Sequence, residues 1–203
     1  MVTKRIKKIG FFSYPITCIS MVLDVFYPKN IESDLHNCIA LIGTYGEIIP
    51  DAFICALIVA EDHRNDIHPG IDFFAIIRAI WVKLRTGAVH GGSTIEQQFV
   101  RVATNRYERT LFRKLREQAI ALILVRRVEK RKIASAYLSI AFYGTNFIGI
   151  DGLKSYFGED LSRVTVEQAL KFVSQLKYPR PEIPDLYWFY KLERRIKKLK
   201  NRS

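Results

Sequence analysis

Three short stretches hold residue types that a hydrophobic core does not require, at spacings that place them at helix ends. The first, residues 60–72, reads AEDHRNDIHPGID. An apolar run delivers Glu61 and Asp62 to its polar end, and His68-Pro69-Gly70 makes a turn behind them. A carboxylate at the rim of an apolar element has its charged form disfavoured, which suits it to accept a proton. The second stretch, residues 90–101, reads HGGSTIEQQFVR. Gly91 and Gly92 allow close approach of backbone or ligand. Ser93 and Thr94 stand where a helix begins, and free N–H groups there favour an anion. Gln97 and Gln98 lie one turn in, and their amides can donate to sugar hydroxyls or phosphate oxygens. The third, residues 109–118, reads RTLFRKLREQ. In a helix, Arg113 and Lys114 precede Glu117 by four and three residues, so all three share a face. That face is either an intrahelical ion-pair set or a phosphate pocket, with Arg suited to fork-like contacts. Each stretch, taken alone, also fits a capped or solvated helix end.

The elements that must position these residues read as helices. A largely apolar helix is predicted over Asp51–Glu61. Asp72 can cap FFAIIRAIWVKLRT, and Gly87 can end it. Ser93 followed by Glu96 has the capping-box pattern for a helix reaching about Thr104. Thr110 opens LFRKLREQAIALILVRRVEK, KIASAYLSIAFY runs to Gly144, and Asp151 starts a short helix that ends at Gly158. Thr165 with Gln168 is a second capping box, for a helix that runs to the Tyr178-Pro179 break, and Asp185 caps a basic terminal helix. Strand alternation is weak throughout. The expected fold class is mainly α, without a visible linker.

The chain has 203 residues, enough for one domain with a real core. Its 49% hydrophobic content excludes a disordered chain. Three scattered cysteines, Cys18, Cys38 and Cys55, give neither metal-ligand spacing nor a disulfide framework. The net charge of +12 is uneven: residues 101–132 hold eleven Lys/Arg against three Glu, and Lys191 to Arg202 adds seven more. Such a surface implies an anionic partner, either nucleic acid, an anionic membrane or a phosphorylated substrate. At the N-terminus four Lys/Arg precede the uncharged Ile9–Leu23 run, which is shorter than the roughly 20 apolar residues of a spanning helix. Residues 1–30 are therefore set apart as a possible membrane anchor, interfacial helix or soluble helix, with the folded domain over 31–203.

Jointly, and in this order, the stretches resemble the peptidoglycan glycosyltransferases, the transglycosylase domain of bifunctional penicillin-binding proteins and their monofunctional relatives. Glu61, Asp62, His68, Gly70 and Asp72 match that family's first motif, E-D-x-x-F-x-x-H-x-G-x-D. Gly91, Ser93, Thr94, Gln97, Gln98 and Arg101 match G-x-S-T-x-x-Q-Q and its following basic residue. Arg113, Lys114 and Glu117 match R-K-x-x-E, and Lys130, Ile133, Tyr137, Leu138 and Gly144 match part of a fourth motif. Asn65 stands where the first motif has Phe, and Ser139 where the fourth has Asn. The resemblance implies a lysozyme-like helical lobe with a smaller membrane-proximal lobe. It implies polymerisation of lipid II into glycan strands with inversion and release of undecaprenyl pyrophosphate. Glu61 would be the general base and Glu117 would assist the leaving pyrophosphate, the pair being the catalytic residues. Asp62, His68, Ser93, Thr94, Gln97, Gln98, Arg101, Arg113 and Lys114 would bind substrate. The resemblance also implies a divalent cation, Mg or Mn, helping at Glu117, with no protein metal ligand assigned. The partners would be lipid II, the growing strand, the membrane and a cell-wall synthase, without nucleic acid. The location would be the outer, periplasmic face of a bacterial cytoplasmic membrane. The alternative is a weak relative that binds lipid-linked glycan or a partner synthase without polymerising.

Overall fold

The computed structural model describes residues 29–88 and 91–201. The anchor segment assigned to residues 1–30 falls, up to residue 28, outside the described residues. Nine α-helices and one small hairpin make up the described chain: α1 Lys29–Tyr45, α2 Asp51–Glu61, α3 Phe73–Thr86, α4 Ile95–Ala103, α5 Leu111–Arg127, α6 Lys130–Ile140, β1 Phe142–Gly144, β2 Phe147–Ile148, α7 Gly149–Phe157, α8 Val166–Val173 and α9 Leu186–Lys200. This is the mainly α, lysozyme-like lobe expected from the sequence.

One main core holds the lobe together. Phe53, Leu57, Phe99, Ile120, Ile123, Leu124, Ile133 and Phe172 are among its fully buried members, and these eight come from α2, α4, α5, α6 and α8. The apolar α2 packs on α8, and α4 is held between α5 and α6. This packing fixes the ends of α2, α4 and α5, which carry the three chemical stretches. α3 stands apart from that core, over a small second cluster of Ile71, Leu122 and Ile76. Its outer face leaves Phe73, Phe74, Ile77, Ile80, Trp81 and Leu84 exposed. No helix among the described residues is long and apolar enough to cross a membrane.

Capping follows the sequence at Asp72, Thr110, Thr165 and Asp185, whose side chains each accept from a backbone N–H of the first turn. Gly87 ends α3 at a φ of 69°, which a glycine adopts without the Cβ clash of other residues. Four expectations change, the first being that α8 stops at Val173 and passes into a 3₁₀ turn over Ser174–Leu176 short of the Tyr178-Pro179 break. The N-cap of α4 is Thr94 rather than Ser93, because the Ser93 hydroxyl is taken by Lys114 and Glu96 turns inward. α6 stops at Ile140, and Phe142–Gly144 pairs with Phe147–Ile148 as a hairpin. α7 begins at Gly149, with Asp151 inside its first turn instead of at its cap.

Candidate active site

A cleft of about 540 Å³ opens between α2, α3, α4 and α9. Glu61, Ser93, Gln98 and Arg101 line it, together with Arg78, Lys177, Arg195 and Lys198. Apart from Glu61 its charged wall residues are cationic or histidine, so an anionic ligand is favoured there.

Glu61 is the last residue of α2, and its side chain is 16% exposed. Arg195 of α9 donates from Nη2 to one carboxylate oxygen at 2.5 Å, and Gln98 Nε2 donates to the other at 3.3 Å. Tyr137 donates its hydroxyl to Gln98 Oε1 at 2.8 Å, which fixes that amide with its nitrogen towards Glu61. Burial pushes the Glu61 carboxyl above its ordinary range, and Arg195 and Gln98 only partly oppose the rise.

Asp62 and His68 stand behind Glu61 and do not line the cleft. Asp62 accepts from His68 Nε2 at 3.0 Å, from the Ile95 backbone N–H at 3.2 Å and from Asn65 at 3.3 Å. Burial alone would raise the Asp62 carboxyl, but His68, Ile95 and Asn65 together hold it below its usual value. Because Nε2 donates to Asp62 and Nδ1 accepts from the Gly70 N–H, the His68 ring has one consistent tautomer. Thr94 is buried as well, donating to the Gly70 carbonyl at 2.7 Å. The first stretch is thereby tied to the head of α4.

Asn65 is buried and satisfied. It donates to Asp62 and to Glu96 Oε1 at 3.3 Å, and Lys130 forms an ion pair with Glu96 at 3.0 Å and donates to the Asn65 carbonyl. Ser139 is equally settled, donating to the Ser135 carbonyl at 2.9 Å.

Glu117 is buried in α5, 2% exposed, and does not line the cleft. Three cations surround its carboxylate: Arg101 at 3.2 Å, and Arg113 and Lys114 from its own helix. Lys114 also donates to Ser93 Oγ at 3.0 Å and Gln97 Oε1 at 2.6 Å. Burial draws the Lys114 ammonium below its ordinary value, against the pull of Glu117. The Gln97 Nε2 group is buried without a partner. The three stretches thus meet as neighbouring groups of bonded side chains, one around Glu61, one around Asp62 and one around Glu117, and Glu61, Gly91, Ser93, Gln98 and Arg101 reach the cleft wall.

One group of metal-ligand types occurs among the described residues: Asp62, His68 and Glu96, each with one donor atom within 4.8 Å of the others. By residue type it could hold a divalent ion. Lys130, however, already brings its ammonium to Glu96 at 3.0 Å and to His68 Nδ1 at 3.3 Å, so the positive charge a metal would bring is present. Glu117 is likewise neutralised by its three cations. At Glu117 a further cation is not called for, whereas beside Lys130 the Oε2 of Glu96 is buried without a partner.

Sequence reasoning missed Arg195, which was absorbed into a basic tail. Its signal was its phase: Arg195 lies three residues after Leu192 and four before Leu199, on the side of α9 that turns inward.

A bank of cations beside one half-buried carboxylate in the cleft wall favours an anionic ligand next to a group able to accept a proton. Residues 42–201 match the transglycosylase family. The chain is 38% identical over 154 residues to penicillin-binding protein 1B of Vibrio cholerae, covering 72% of this chain and 20% of that one. It is 34% identical over 152 residues to penicillin-binding protein 1A of Aquifex aeolicus, covering 74% and 20%. It is 30% identical over 181 residues to a biosynthetic peptidoglycan transglycosylase of a Marinomonas species, covering 89% and 76%. The chain belongs to the transglycosylase family. It spans about a fifth of the length of the two penicillin-binding proteins.

Proposed function

We propose that this chain is a peptidoglycan glycosyltransferase that polymerises lipid II, with Glu61 as the general base. The observation that carries the reading is the division of charge. Glu61 lines the cleft with its carboxyl raised by burial, while Arg101 reaches the same cleft from the cation cluster around Glu117. Glu61 takes the proton of the acceptor 4-hydroxyl as its oxygen bonds to the donor's anomeric carbon. The bond from that carbon to the pyrophosphate breaks, and its electron pair leaves on the lipid pyrophosphate. One displacement from the opposite face inverts configuration. Arg101, with Arg113 and Lys114 behind it, stabilises the charge that develops on the phosphates. Glu117 acts through these cations by holding them in place. Ser93 and Gln98 face the donor sugar. Asp62, His68, Thr94 and Gln97 set the relative position of α2, α4 and α5. No step is routed through a divalent cation.

The exposed apolar face of α3, with Leu111, Phe112 and Leu115 at the start of α5, suits contact with a lipid surface, where the substrate's tail resides. We place the catalytic lobe on the outer face of a bacterial cytoplasmic membrane. Trp81→Glu with Leu84→Glu should lower sedimentation of the protein with anionic vesicles, and unchanged sedimentation would remove this face from the role. The binding-only alternative is not favoured, because Asn65 and Ser139 are both satisfied in place. The direct test is incubation of the purified protein with labelled lipid II, with and without a chelator. A polymer ladder in both arms is expected. Absence of polymer from folded protein would sink the reading, and loss only with chelator would restore the metal.

A further inference from the structure

Arg195 is the one residue of α9 bonded to the Glu61 carboxylate, and its side chain is 11% exposed. Its Nη2 bridges the Glu61 carboxylate and the Ala60 carbonyl, the latter at 3.1 Å. Both acceptors belong to the last turn of α2, so the guanidinium grips the helix end as well as the acid. Meanwhile its Nε–H is buried without an acceptor. An orphaned buried donor is unfavourable, so this orientation is set by the Glu61 contact rather than by Arg195 satisfying itself.

We propose that Arg195 is the positioning residue of the Glu61 base, docking α9 onto the end of α2 and aiming the carboxylate into the cleft. The argument rests on the reading of Glu61 as base. Each carboxylate oxygen accepts one bond, one from Arg195 and one from Gln98. Each therefore keeps a lone pair for an incoming hydroxyl. The Tyr137–Gln98 pair holds the acid from α4 and α6, and Arg195 holds it from α9. Without Arg195 the carboxylate is free to turn about its side-chain torsions, and misplacement of about 1 Å is enough to slow a displacement strongly.

The groups facing Glu61 are Arg195 from α9, Gln98 from α4, Tyr137 from α6, Lys177 beyond α8 and its own neighbour Asp62, with His63, Arg78 of α3, Arg101 of α4 and Lys198 of α9 in the same cleft wall. Of these Arg195 is the largest influence favouring the charged form. Removal of Arg195 should therefore move the acid limb of activity to higher pH, because Glu61 must lose its proton to act.

The test compares wild type, Arg195→Met and Arg195→Lys. It records kcat and KM for lipid II against pH, carboxyl titration of Glu61 by carbon NMR, and helical circular dichroism. For Arg195→Met, kcat should fall by about tenfold to a hundredfold, KM should change little, and both the acid limb and the carboxyl titration should move upward. Arg195→Lys should recover part of kcat with an acid limb near wild type, since it keeps the charge and loses the fork. A folded Arg195→Met protein with unshifted titration and wild-type kcat would overturn the proposal. Should Arg195→Met fail to fold, a wild-type kcat in Arg195→Lys would do so instead. If wild type makes no polymer, the base reading fails, and the NMR titration alone then decides whether Arg195 holds Glu61.

Discussion

Glu61 is half-buried and Glu117 buried, and their surroundings are opposite. Glu61 has one guanidinium and one amide, stands in the cleft wall and has its proton affinity raised by burial. Glu117 has three cations and no place in the cleft wall. An acid left short of compensating charge is suited to receive a proton. One with charge in excess around it is suited to hold cations for another anion. The same substitution at the two positions should therefore fail in different ways.

The largest effect is expected for Glu61→Gln, which keeps the shape and removes the proton acceptor. Polymerisation should fall by about 10²–10⁴-fold, while binding of a lipid-linked donor analogue stays near wild type. A variant that retained most activity would erase the contrast. Glu117→Gln should act first on stability, because it leaves three partly exposed cations without their carboxylate, at a cost below the roughly 3–5 kcal/mol of a fully buried pair. Urea unfolding would show the loss, and an unfolding curve like that of wild type would mean the cations relax into solvent. The smallest effect is expected behind Glu61. Asn65→Phe removes two donated bonds and should cost roughly 1–3 kcal/mol. Adding Glu96→Thr removes the stranded carboxylate and should recover part of that loss. Strict additivity in this double-mutant cycle would show that Asn65 and Glu96 are uncoupled.

Much of the site could be read from the order of the three stretches, because each lies at the end of an element whose signals are local. Asp72, Thr110, Thr165 and Asp185 cap as their types require. The errors arose where a distant residue outbid a local one. Ser93 gave up the cap because Lys114, 21 residues away, claims its hydroxyl. Asn65 looked like a loss of an aromatic until Glu96 and Lys130 were seen beside it. α6 ended early because the Phe142–Gly144 backbone has a strand partner beyond a turn. The phase of Arg195 in α9 marks an inward side chain, but nothing within that helix states that it meets an acid 134 positions earlier.

That separation also gives the site a calendar. A chain emerging from the ribosome releases α2 well before α9. Closing so long a loop costs entropy before the contact returns anything. Until residue 195 has emerged and α9 has docked, Glu61 already exists at the end of its helix but is aimed by Gln98 alone. On the proposed reading the acid is completed only when α9 docks, and a nascent chain carries Glu61 without its Arg195 partner until then.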